Sequence, residues 1–167
     1  MEYAEKGYTQ AVLVDLSKYF DTLNHELLMN LMRRSIHDKR VIELIKRYLK
    51  AGVMENGLLV KTEEGSPQGG PLSPLLANIY LNEYDQEMAS RGVPVIRYAD
   101  DIVVLARSPR AAERLMKTTQ KYLEGKLKLK MNKEKSEVVS VFSIRNFKFL
   151  GFALGKRGYT YVPMQSP

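Results

Sequence analysis

The chain has 167 residues, 44% hydrophobic and 27% charged, enough for one domain with a core and ordinary for a globular protein. It has no Cys and two His, which exclude a disulfide framework and a thiolate zinc site. No apolar run reaches the length of a membrane span and no signal-peptide core opens the chain, so the expectation is a soluble intracellular protein with no membrane partner.

The net charge of +7 is unevenly spread: residues 1–102 carry 12 Lys and Arg against 15 Asp and Glu, and residues 103–167 carry 14 against 4. Clustered cations attract phosphates; on charge alone, a polyanion partner and a solvated basic surface stand even.

In chain order, "QAVLVDLSKYF" holds the apolar run Ala11–Val14, a buried strand ending near Asp15. "NHELLMNLMRRSI" reads as a helix capped by Asn24, with Leu27, Leu28, Leu31 and Met32 on one face. "DKRVIELIKRYLKAG" is a second helix, with Asp38 as cap and Gly52 as stop. "NGLLVKTEEGSPQGGP" gives a turn, a short strand around Leu58–Thr62 and a Gly/Pro-rich loop. "LSPLLANIYLNEYDQEMASRG" is a third helix. A hairpin follows over Val95–Ala99 and Ile102–Ala106, then a helix with Ser108 as N-cap and Pro109 at its first position. "KSEVVSVFS" and "NFKFLGFAL" are strand candidates. His25 and His37 lie in helical stretches among polar neighbours and read as surface or capping residues.

The fold class is therefore α+β, an antiparallel sheet with helices on one face, and its core order β-α-β-β-α-β is ferredoxin-like. That topology sets the first strand beside the hairpin. Asp15 then converges with Asp100 and Asp101 at one edge of the sheet, where unpaired like charges cost energy. A hard divalent cation removes the cost, and two such ions about 4 Å apart form the clamp of polymerases and nucleases. Alone, Asp-Asp is most often a hairpin turn and Asp15 a strand-end residue.

Further stretches join the carboxylates: "DLSKYFDT", "SPQGGPLSPLLANIYL", "YADD", "LKLKMNKEKSEVV" and "FLGF". In these words and this order, over about residues 10–155, the chain resembles the reverse transcriptases, and among them the group II intron-encoded (maturase) type. The resemblance implies an RRM-like polymerase palm over residues 1–167 and RNA-directed DNA polymerisation with two Mg²⁺ ions. Asp15, Asp100 and Asp101 would surround the metal, with the Leu16 backbone carbonyl a further ligand. Phe20 would stack under the incoming sugar and select dNTP, although spacing alone makes it a core aromatic. Gln68, Gly69 and Gly70 would approach the nascent base pair and template. Lys135 would neutralise or protonate the leaving pyrophosphate, unless it is one more solvated charge. Phe149, Leu150 and Gly151 would contact the primer end, or simply pack as a strand.

The implied partners are an RNA template, intron RNA, a DNA primer and dNTP. The family's fingers precede the first palm motif and its thumb follows "FLGF", so the expectation is a palm-centred fragment whose parent supplies both. A homodimer is compatible, and the expected location is the bacterial cytoplasm, at the nucleoid during integration. Two other readings stand beside the polymerase: a non-catalytic splicing platform that binds intron RNA, and a reverse transcriptase of a diversity-generating or defence-associated lineage.

Overall fold

A computed structural model describes residues 2–50, 53–55, 58–60, 64–66, 70–143, 147, 149–150, 152–155 and 158–161. The elements run α1 (Glu2–Glu5), β1 (Gln10–Val14), α2 (His25–Arg33), α3 (Lys39–Lys50), β2 (Val53–Glu55), β3 (Leu58–Val60), α4 (Ser73–Ser90), β4 (Val95–Tyr98), β5 (Asp101–Ala106), α5 (Pro109–Gly125), β6 (Glu137–Ser140), β7 (Phe152–Gly155) and β8 (Gly158–Tyr161). A 3-10 turn covers Tyr19–Asp21. The chain divides into two compact units, one of Met1–Asp15, Met88–Gln120 and Met131–Pro167, the other of Leu16–Glu87 and Lys121–Lys130.

The first unit is built on a four-stranded sheet of order β4-β5-β1-β6, antiparallel at every pairing. This is the ferredoxin-like order that the sequence predicts. Burial follows position in the sheet. The central β5 is buried from Ile102 through Ala106, so its sequence is a continuous apolar run. The edge strand β4 alternates instead, with Ile96 and Tyr98 facing out. Ala11, Val103, Leu105, Val139, Val141 and Phe147 form one apolar cluster of this unit.

The second unit holds α2, α3 and most of α4. The Asn24 side chain accepts from Leu27 N at 2.9 Å, and Asp38 Oδ1 accepts from Arg40 N at 2.8 Å, the two caps expected from the sequence. Gly52, the expected stop, lies outside the described residues. Tyr80 and Tyr84 are fully buried on α4. The Tyr80 hydroxyl donates to the Leu127 carbonyl at 2.6 Å, so the ring is buried without orphaning its polar tip.

Several expectations are corrected here. The strand around Leu58–Thr62 is β3, and it pairs with β2, a strand the composition did not signal. "NFKFLGFAL" is not one strand: Leu150 sits in a turn at φ 51°, and β7 begins at Phe152 and pairs with β8 in a separate two-stranded ribbon. His37 lies in the connection between α2 and α3. His25 is buried rather than on the surface, because Nε2–H donates to the Gly65 carbonyl at 2.5 Å.

That contact belongs to a tight backbone junction. Gly65 N donates to Leu23 O at 2.8 Å and Ser66 N to Phe20 O at 2.7 Å. Gly65 has φ +87°, and a Cβ there would lie 2.9 Å from the Asp21 carbonyl oxygen. Glycine is required on both counts, conformation and space. Gly65→Ala should therefore lower stability by about 2–4 kcal/mol. Urea unfolding measures it, and a change within about 0.5 kcal/mol would contradict the junction.

Candidate active site

Three carboxylates meet at one end of the sheet because the strand register puts them there. Val14 pairs with Ile102 and Tyr98 with Asp101. One residue beyond Val14, Asp15 comes opposite Asp101. Ala99 and Asp100 form the two-residue loop between β4 and β5. Ala99 has φ 52°, the left-handed conformation that tight hairpins require at this point and that a side chain disfavours. The Arg97 guanidinium donates to the Ala99 carbonyl at 2.8 Å and braces the turn.

Asp15 is held by its backbone. Its N–H donates to Ser136 Oγ at 3.0 Å, and its carbonyl accepts from Asn132 N at 2.9 Å. Both partners lie in the segment leading into β6. Ser136 is thus a positioning residue that the sequence reading missed, since a serine inside "NKEKSEVV" carries no spacing signal. The same segment contains Lys135, exposed, whose N–H donates to Asn132 Oδ1 at 3.4 Å. The fold therefore brings the Lys135 backbone to the carboxylate end of the sheet.

The electrostatics follow from the convergence. Asp15 and Asp100 are half-buried and Asp101 is exposed at the residue level. Partial desolvation nevertheless raises the Asp101 carboxyl above the ordinary Asp range, and the charges of Asp100 and then Asp15 push it the same way. Among the described residues, no Lys or Arg pairs with any of the three. Nor does any group of three or more His, Cys, Asp and Glu there stand arranged to hold a metal ion. No described donor reaches the Leu16 carbonyl.

The other predicted residues lie as follows. Phe20 belongs to the second unit, half-buried in the 3-10 turn with its ring tilted against Tyr19 at 5.3 Å. Its carbonyl anchors the strand of loop that enters "GSPQGG" through Ser66. Gly70 is half-buried and accepts from Ser73 N at 3.2 Å, at the start of α4. Gln68, Gly69 and Gly151 lie outside the described residues. Phe149 packs against the apolar cluster of the first unit, while Leu150 is 44% exposed.

Two outcomes follow. A raised Asp101 pKa means that the native state keeps its proton to higher pH than the unfolded chain, so stability falls as pH rises through that pKa. In metal-free buffer, Asp101→Asn should raise Tm near about pH 7 and lose that advantage as pH falls toward about 4. An equal Tm at both pH values would contradict the repulsion. Ser136→Ala removes the partner of the Asp15 N–H and should cost on the order of 1–2 kcal/mol in urea unfolding; no change would show that Asp15 is held by other means.

Residues 2–154 match the family model described as reverse transcriptase (RNA-dependent DNA polymerase). The chain is 35% identical to protein YkfC of Escherichia coli over 90% of its own length, and spans 48% of that protein. It is 49% identical to the group II intron-encoded protein LtrA of Lactococcus lactis over 43% of its length, 12% of LtrA. Apo telomerase of Candida tropicalis, truncated from its C-terminal domain, superposes with TM-score 0.71 at 16% identity, covering 96% of this chain and 37% of the telomerase. That likeness is one of fold. With the motif order, the sheet order and the family match in agreement, the chain belongs to the reverse transcriptase family.

Proposed function

We propose that the chain is the catalytic palm of an RNA-directed DNA polymerase of the group II intron lineage. It would extend a DNA primer with dNTP on an RNA template. The observation that carries the reading is the convergence of Asp15, Asp100 and Asp101, none of them in an ion pair with a described Lys or Arg. The match to LtrA supports the intron lineage, and with it intron RNA as a partner.

The donor set suits Mg²⁺. A hard cation of this size takes one or two carboxylates and completes its shell with substrate phosphates and water, so it does not need three protein carboxylates around it. Asp15 and Asp100 would be the direct ligands, the Leu16 carbonyl a further one, and Asp101 would add negative potential at the same end of the sheet. Held there, Mg²⁺ would supply activation of the primer 3′-hydroxyl and charge stabilisation of the leaving pyrophosphate. The raised pKa of Asp101 marks the penalty that bound cations would relieve.

The remaining residues bind and orient. Phe20 stacks under the incoming sugar and excludes a 2′-hydroxyl, with its main chain fixed by Ser66. Gln68, Gly69 and Gly70 approach the nascent pair. Lys135 offers an exposed cation to the leaving pyrophosphate from a segment already tied to Asp15. Of the primer-end group Phe149, Leu150 and Gly151, the exposed Leu150 is the side chain left available by the packing of Phe149.

The test is Mg²⁺-dependent primer extension on an RNA template. Asp100→Asn should reduce extension at least about a hundredfold while RNA binding persists. Extension that survives the substitution would refute the reading. Absence of extension by the unsubstituted chain, with RNA binding intact, would favour the RNA-binding platform instead.

A further inference from the structure

Helix α5 carries a row of cations whose placement runs against its own stability. Arg110, Arg114, Lys117 and Lys121 recur at steps of four, three and four residues, which is one face of the helix, and Arg107 stands two residues before its first turn. All are exposed. Among the described residues none forms an ion pair, not even with Glu113, which stands three residues from Arg110 and four from Lys117. The helix has no acidic residue in its first turn and no basic residue in its last. The macrodipole favours the reverse order, so helix stability does not account for this row.

The row starts far from the carboxylates. β5 runs from Asp101 to Ala106, so Arg107 leaves the sheet at the opposite end, about 20 Å from Asp101 at the rise of an extended strand. There the Arg107 guanidinium lies over the Tyr8 ring at 5.0 Å, and Tyr3, 41% exposed, meets Tyr8 edge-on at 5.8 Å. The stacking fixes the plane of the guanidinium and leaves its N–H edge for an anion. At 1.5 Å per residue, the cations from Arg110 to Lys117 span about 10 Å, the reach of two successive phosphates, and Arg107 extends the row before the helix.

We propose that Arg107 together with the Arg110, Arg114 and Lys117 face of α5 is a second RNA-binding surface. It holds the sugar-phosphate backbone of a strand at the end of the sheet remote from the carboxylates. The cations make phosphate contacts without reading bases, so binding is insensitive to sequence and strongly sensitive to salt. The inference rests on the proposed polymerase only for the identity of the polyanion as RNA.

The test is fluorescence anisotropy of the full chain with unprimed single-stranded RNA in EDTA, which removes metal-dependent binding. The variant is the triple substitution Arg110→Gln, Arg114→Gln and Lys117→Gln, on exposed positions outside the proposed active site. Circular dichroism and Tm check that it folds, and Arg107→Gln alone serves if the triple variant does not. The slope of log K against log salt should become shallower by about 2 units, and Kd should rise about tenfold or more near 0.15 M salt. The loss should be equal for oligouridylate and for mixed-sequence RNA. Asp100→Asn should bind as the unsubstituted chain does, which separates this outcome from failure of the polymerase reading. An unchanged slope and Kd would reduce the row to a solvated face, and a loss confined to one RNA sequence would overturn backbone recognition.

Discussion

The repulsion among Asp15, Asp100 and Asp101 is the constraint on which the rest of the site depends. β1 and β5 cannot pair in their observed register without bringing Asp15 opposite Asp101, and the hairpin cannot close without placing Asp100 beside it. The fold accepts three like charges at one sheet end, where partial desolvation, with the charges of Asp100 and Asp15 added to it, holds the Asp101 carboxyl above the ordinary Asp range. Such an arrangement disfavours the free protein and favours whatever cation neutralises it. The surrounding structure keeps the groups from moving apart: Ser136 and Asn132 hold the backbone of Asp15, Arg97 braces the turn, and β5 is buried on either side of its strand partners.

The second unit shows the same economy with backbone contacts. The loop leading to "SPQGG" is set against the Phe20 segment by Gly65 and Ser66, and His25 closes the junction from α2. A side chain at residue 65 would push the Asp21 carbonyl away. The motif that the resemblance assigns to the incoming sugar and the one it assigns to the nascent base pair and template are therefore joined by the hydrogen bond from Ser66 N to the Phe20 carbonyl, whatever their side chains do in the reaction.

Much of this was legible from local pattern. The apolar run before Asp15, the caps at Asn24, Asp38 and Ser108, and the hairpin around Asp100 are short-range signals, and each corresponds to an observed element or cap. What was missed is long-range. His25 sits among polar neighbours in sequence, and only the Gly65 carbonyl, 40 residues away, explains its burial. Ser136 meets Asp15 across 121 residues. The β2–β3 and β7–β8 pairings, and the positive φ of Ala99 and Leu150, are set by turn geometry that residue type signals weakly when the residue is neither Gly nor Asn.

The central claim is that Asp15 and Asp100 hold a divalent cation beside the charge of Asp101. Titration with Mn²⁺, followed by the loss of the free-ion electron paramagnetic resonance signal, tests it without requiring substrate or turnover. The account predicts saturable binding that Mg²⁺ displaces, and that Asp15→Asn and Asp100→Asn each abolish or weaken at least about tenfold. Mn²⁺ binding unchanged in both variants, or no saturable Mn²⁺ binding by the unsubstituted chain, would contradict it.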